Sequence, residues 1–427
     1  MATPHFAKLP GFRDFPPEDF ALRSHIQGAW RRVSVRYGFS EYDGPPLESL
    51  DLYVEKSGPE IVGQLYNFID KGDRAVALRP EMTPSLARML GERSRGMSKP
   101  IRWFSIPQLF RYERQQRGRL KEHFQWNVDV VGEAGVAADA EVLAVAIDGL
   151  RELGLTSDDF AARVSDRRLL SALLEVIGVP EGRMAAAFTV IDKIERMPKG
   201  KATATLESEV GLDRGQIGTL LDLLESPTLD DLAERFGEHP GVVSELGRLR
   251  EYVDTLDAMG LGDFVQVDLR IVRGLAYYTG IVFELFDRRG ELRAICGGGR
   301  YDRLLELVGG EPLPAVGFGM GDVVLGELLA DRGLIPEYRR ELEYYVVPVT
   351  PEQRGEALRI AHALRERGHS VAYSLKEQGV GKQMKAATRE GARTVLVVGP
   401  DELERGCVVA RNMASGEETD VPLTELR

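Results

Sequence analysis

The chain has little of the chemistry that builds disulfide or metal scaffolds. Its 427 residues include only two cysteines, Cys296 and Cys407, far apart in the sequence. That excludes a disulfide framework and fits a reducing cytosol. The six histidines (His5, His25, His123, His239, His362 and His369) never fall at ligand spacing with one another or with the cysteines. The pattern argues against a zinc site. No window approaches a membrane span, and the opening MATPHFAKLPGFRDFPPEDF carries no apolar core of a signal peptide. A cytoplasmic location is therefore expected. Low-complexity tracts are missing too. The net charge of -12 argues against an unspecific polyanion binder, so any contact with nucleic acid must run through local patches.

One such patch is present. Between Lys99 and Lys121 there are seven Lys or Arg residues against one acid, Glu113. They sit in FSIPQLFRYERQQRGRLKEHFQWNVDVVG, where two apolar runs, around 103–110 and 126–131, flank a polar segment too long for a tight hairpin. Two antiparallel strands joined by a long loop are expected. Arg111 leaves the first strand, Arg114, Arg117 and Arg119 follow, and Phe124 and Gln125 open the return strand. Guanidiniums with an aromatic ring suit a nucleotide triphosphate. A solvated basic hairpin accounts for the same charges.

Around this stretch, Phe20, Ile26, Trp30, Val33 and Tyr37 mark a helix stopped by Gly38, followed by a short strand halted at Pro45 and Pro46. A hairpin of 65–70 and 75–78 leads into LRPEMTPSLARML, with Thr83 and Pro84 as cap and first turn of a helix. Glu81 just before it suits a substrate ammonium, or simply the helix N-terminus. Residues 139–153 read as a helix, and 166–260 as mostly helical. Fourteen acids against four bases over 206–263 give that segment a solvated acidic face.

Strand texture returns with FVQVDLRIV and continues through RGLAYYTGIVFELF, which holds Arg273, Tyr277 and Tyr278. The triple glycine of AICGGGRYD allows a ligand or a neighbouring backbone to come close. Gly317, Gly319 and Gly321 precede another helix, but no βαβ unit with an acidic partner follows, so a dinucleotide fingerprint fails. Beyond a charged linker near 336–340, strands and helices alternate as βαβαβ, with a last strand pair around Ser415 and Gly416. This indicates a small α/β domain. Lys376, Lys382, Lys385 and Arg389 make its second helix region basic, as a solvated face or a nucleic-acid contact.

Taken in order, these stretches closely resemble the histidyl-tRNA synthetase family of class II aminoacyl-tRNA synthetases. The helix–strand–Pro45 unit resembles motif 1 and FRYERQQRGRLKEHFQ motif 2. RGLAYYTG and AICGGGRYD resemble the two histidine-specific signatures, and SLKEQGVGKQMKAATREGAR the C-terminal anticodon-binding domain. The resemblance implies an α+β catalytic domain with an antiparallel class II sheet and a helical insertion, then a C-terminal α/β anticodon-binding domain. The corresponding boundaries are 1–165 and 261–335 for the two catalytic parts, 166–260 for the insertion and 341–427 for the last domain. It implies a homodimer acting on L-histidine, ATP with Mg²⁺, and tRNA(His), with no tightly bound protein-ligated metal.

By resemblance, Arg111 holds the α-phosphate and Arg119 the γ-phosphate. Glu113 lies near adenine, and Phe124 is its stacking face. Arg273 bridges the attacking carboxylate and the α-phosphate, with Arg111 as the second catalytic arginine. Glu81, Thr83 and Gln125 match partners of the α-amino group. Asp129 and Tyr278 match readers of the imidazole, and Tyr277 belongs to the same pocket. Tyr301 is expected as an ordinary core aromatic. Arg114, Gln115 and Gln116 lie where the motif 2 loop approaches the tRNA acceptor end.

Two positions depart from the family. Motif 3 normally ends in Glu-Arg, but Val323 and Val324 stand there, which removes a cation–π contact over adenine worth about 1–2 kcal/mol. Ala276 replaces a frequent Asp. A rival is a non-catalytic histidine-sensing paralogue, such as the regulatory subunit of ATP phosphoribosyltransferase. That paralogue typically lacks the C-terminal domain and degrades the RGLxYYTG signature, and this chain keeps both. A generic RNA-binding dimer gives no reason for Glu81, Gln125 and Tyr278 to accompany Arg273.

Overall fold

The computed structural model describes residues 7–112, 118, 120–225, 228–273, 278–307, 309–338, 340 and 342–426. It divides into two compact units, Met1–Pro336 and Glu337–Arg427. Among the described residues, no helix is long and apolar enough to cross a membrane.

The first unit is built on a nine-stranded sheet whose centre is antiparallel. From one edge the order is Ser40–Glu41, Ile101–Ser105, Glu122–Val131, Ala315–Gly321, Cys296–Arg300, Ile281–Asp287, Phe160–Asp166 and Val265–Val267. The short strand Gln108–Phe110 also pairs with 122–131. The basic stretch thus forms the expected antiparallel pair, but its first strand is broken at Pro107, where the proline removes a ladder donor.

Alternation along the 122–131 strand decides what each face carries. Trp126 points into the core. It stacks on Trp30 with ring centroids 5.8 Å apart and meets Phe318 edge-on at 5.0 Å, and its indole N–H donates to Ser34 Oγ at 2.9 Å. Trp30 lies on the helix Pro17–Arg36, whose Ile26, Ala29 and Val33 are also buried. The helix Val136–Arg151 covers the same face with Val142, Leu143, Val145, Ile147 and Leu150. Helices from Arg167–Ile177 to Pro240–Ala258 continue this core.

Two local expectations are corrected. FVQVDLRIV forms a strand only over Val265–Val267. Fully buried Asp268 accepts from the Arg270 N–H at 3.0 Å and from Arg163 Nε at 2.6 Å, which turns the chain out of the ladder. Thr83 is the first residue of the helix Thr83–Arg93, not its cap. Met82 takes the cap position without a side-chain bond, which leaves the Thr83 hydroxyl for another use.

The second unit has a five-stranded mixed sheet in the order Val371–Tyr373, Leu342–Pro348, Ala392–Val398, Cys407–Asn412, Glu418–Pro422. The first three strands are parallel and the last two antiparallel additions. Helices Arg354–Glu366 and Val380–Arg389 supply the crossovers.

Candidate active site

On the face of the large sheet opposite Trp126, two cavities meet. The smaller, about 90 Å³, is lined by Glu81, Thr83, Gln125, Asp129, Tyr278 and Tyr301, among others. The larger, about 250 Å³, takes in His123, Gly321, Val323 and Val324. Arg111, Gln125 and Arg273 border both.

Glycine makes this opening possible. Asp129 pairs with Gly317 and Gln125 with Gly321 across the ladder. A Cβ on Gly317 would come 2.9 Å from Asp129 Cγ, and one on Gly319 would come 2.8 Å from Gln125 Cδ. On this face the 315–321 strand presents backbone where side chains would otherwise fill the cavity. Gly297 does the same for Arg273, whose Cζ would lie 2.6 Å from a Cβ there.

Several of the site's arginines are held in place. Arg79, 5% exposed, donates to Asp43 Oδ1 at 2.7 Å, to the Gly44 carbonyl at 2.6 Å and to the Gln108 carbonyl at 3.1 Å. These bonds fix the strand end that presents Glu81. Arg111 Nε donates to the Pro80 carbonyl at 3.1 Å. Arg273 pairs with Glu284 and lies 5.8 Å from the Tyr278 ring centroid. Burial opposes the Arg273 charge, but Tyr278 and Glu284 outweigh it and hold the guanidinium pKa above its ordinary value. Burial pushes the Cys296 thiol up, against the opposing charge of Arg273.

The structure therefore brings together Glu81, Thr83, Arg111, Gln125, Asp129, Arg273 and Tyr278. Glu113, Arg119 and Tyr277 lie outside the described residues, as do Arg114, Gln115, Gln116 and Ala276. Phe124 is a correction. It lies between His123 and Gln125 on a strand with period two, so its ring faces the opposite side. There Arg23 sits 4.7 Å from its centroid and Phe15 meets it edge-on at 6.0 Å. Its amide donates to Asp322 Oδ1 at 2.9 Å. The ring that lines the larger cavity is His123. Tyr301 is a second correction: it is buried, but its hydroxyl donates to Asp129 in the smaller cavity. Asn127 and Glu284 were missed. Asn127 shares the period of Gln125 and Asp129, and Glu284 is a lone charge in the apolar run IVFELF, so both signals were present.

An antiparallel sheet with arginines and a carboxylate–tyrosine pocket on one face fits the fold expected of a class II aminoacyl-tRNA synthetase. Comparison with known proteins narrows this. The histidyl-tRNA synthetase family model matches residues 11–321, and an anticodon binding domain model matches 343–427. The histidine--tRNA ligase of Opitutus terrae is 46% identical, covering 100% of this chain and 98% of that protein. The chloroplastic/mitochondrial histidine--tRNA ligase of Arabidopsis thaliana is 43% identical, covering 97% and 85%. A crystal structure of histidyl-tRNA synthetase from Nostoc matches with a TM-score of 0.84 at 24% identity, covering 99% of this chain and 98% of that one. The chain belongs to the histidyl-tRNA synthetase family.

Proposed function

We propose that the chain joins L-histidine to tRNA(His) in two steps through a histidyl-adenylate. The observation that carries this is the meeting of the two cavities at Arg111, Arg273 and Gln125. The smaller cavity suits histidine: Glu81, Thr83 and Gln125 would take the α-ammonium, and Asp129 with Tyr278 the imidazole N–H groups. Tyr301 would orient Asp129. Groups dedicated to a substrate's N–H reject analogues that leave them unpaired. The larger cavity suits ATP, entering with Mg²⁺ as part of the substrate. Its adenine would lie between His123 and the apolar side made by Val323 and Val324.

In the first step a histidine carboxylate oxygen attacks the α-phosphorus. The bond from that phosphorus to the bridging oxygen breaks, and pyrophosphate leaves. Two anions must approach, so a fixed cation between them lowers the barrier. Arg273 would bridge carboxylate and α-phosphate, with Arg111 on the phosphate. In the second step the terminal ribose 3′-hydroxyl attacks the acyl carbon, AMP departs, and the hydroxyl proton leaves with it or to solvent. The second unit would bind the anticodon. We also propose a cytoplasmic homodimer, in which exposed Leu47, Phe68 and Ile69, on a three-stranded sheet of Leu47–Ser49, Ala75–Leu78 and Asn67–Ile69, would be covered. A purely histidine-sensing paralogue is not favoured, because relatives matching nearly the whole chain are named histidine--tRNA ligase.

The test is charging of tRNA(His) with labelled histidine by the purified chain with ATP and Mg²⁺, beside Arg273→Ala. Charging that falls at least about 10²-fold in the variant supports these roles. Histidine binding without charging would overturn them, and a single-chain mass in sedimentation would remove the dimer.

A further inference from the structure

Arg273 has a left-handed backbone, with φ 53°. A residue with a side chain keeps that conformation only where its surroundings over-determine it. The side chain that reaches this turn is Arg167, the first residue of the helix Arg167–Ile177. Its Nη1 donates to the carbonyls of Val272 at 2.7 Å and of Arg273 itself at 3.2 Å. Its amide donates to the Gly280 carbonyl at 3.1 Å, and Arg168 Nε donates to the Thr279 carbonyl at 2.9 Å. One helix start thus grips both described flanks of residues 274–277.

That grip is itself supported from the helical segment. Phe188, on the helix Met184–Lys193, lies with its ring centroid 4.6 Å from the Arg167 guanidinium carbon. Asp166 caps Arg167–Ile177 through the Arg168 amide at 2.8 Å and receives Arg248 Nη2 at 2.5 Å from Pro240–Ala258. Burial lowers the Arg167 pKa, with Asp192 opposing. A cation half-buried against carbonyls and a ring needs a return beyond starting a helix.

We propose that Arg167 is a positioning residue for Arg273, and that Phe188 makes the helical segment part of that support. Arg167 fixes the left-handed turn, and the turn aims the Arg273 guanidinium over Gly297 into the junction of the cavities. The role rests on the synthetase function proposed above.

Histidine-dependent ATP–pyrophosphate exchange tests it in wild type, Arg167→Met, Arg167→Lys, Arg273→Ala and the Arg167→Met/Arg273→Ala double variant. In Arg167→Met, kcat should fall about 10- to 100-fold, as expected for roughly an ångström of misplacement. KM for histidine should change much less, and Arg167→Lys should restore part of kcat. The double variant should be no slower than Arg273→Ala alone, because one group acts through the other. An exchange rate within about twofold of wild type, or losses that multiply, overturns the proposal. If Arg167→Met does not fold, Phe188→Ala takes its place, with a several-fold loss that vanishes in the Arg273→Ala background. If wild type itself shows no exchange, the synthetase function fails. Calorimetric ATP affinity then decides: weakening by Arg167→Met only where Arg273 is present supports the positioning role, and any other pattern ends it.

Discussion

Two neighbouring rows of the large sheet differ in almost every respect. Across the ladder, Ser105, Asn127, Gly319, Gly297, Glu284 and Arg163 stand side by side. One residue along, the row reads Phe104, Val128, Phe318, Gly298, Phe283 and Val164. The second row faces the helices and is a core. The first is polar or bare, and the cavities open over it. A single step of the two-residue period separates stability from chemistry. The difference teaches that buried charges on this sheet are costly for folding and are offset by ion pairs, Glu284 with Arg273 and Arg163 with Asp268.

The triple glycine tests the contrast most severely. A methyl at Gly297 would meet the far end of Arg273, a flexible side chain that can yield. Gly297→Ala should therefore fold with stability within about 1 kcal/mol of wild type, yet lose about 10²-fold or more in adenylate formation as Arg273 is displaced. A methyl at Gly298 would meet the Gly317 carbonyl at 2.5 Å and Phe283 Cζ at 2.7 Å, which cannot move aside. Gly298→Ala should cost about 1–3 kcal/mol in urea unfolding. Equal effects on rate and stability in both variants would erase the distinction between rows.

A smaller effect separates adjacent residues of one strand. His123→Ala should raise KM for ATP about tenfold, since stacking on a base is worth ~1–3 kcal/mol. Phe124→Ala should leave that KM within about twofold and lower stability by ~2 kcal/mol, the half-buried counterpart of a core Phe deletion. The reverse pattern would restore Phe124 to the adenine site and refute the assignment of faces.

Much of this was legible in the chain. Trp30, Val33 and the helix they mark, the alternating βαβαβ pattern after 341, and the basic stretch with Arg111 stand out by period and residue type, whereas Gln125 and Arg273 gained their roles from the resemblance of their flanking signatures. What was not legible depended on phase and on distance. Phe124 attracts attention as the larger aromatic, but only the strand's register shows that His123 shares the face of Gln125. Tyr301 looks like core because it is core, with 3% exposure. Its hydroxyl gains meaning only when the sheet brings it to Asp129, 172 residues away in sequence. The glycines at 317 and 319 suggest only a dinucleotide fingerprint, which fails, although they floor a cavity.

The mildest test lies where the polar row reaches the sheet edge. Arg163 and Arg270 both grasp buried Asp268, with Arg270 Nη2 at 2.8 Å, and Arg270 reaches on to Glu195 at 2.9 Å. Burial alone would raise the Asp268 pKa, but Arg270 and Arg163 outweigh it and hold the carboxyl below its ordinary value. In the unfolded chain that carboxyl titrates near ~3.9. The folded state therefore binds fewer protons in the acid range, and its extra stability is complete above that value. As pH falls through the folded pKa, the stability is lost. Asp268→Asn should lower stability at pH 7 and flatten the acid loss below about pH 4, read by urea unfolding at neutral and acid pH. An unchanged acid slope would mean that the edge of the polar row is held by packing, as the apolar row is, and not by charge.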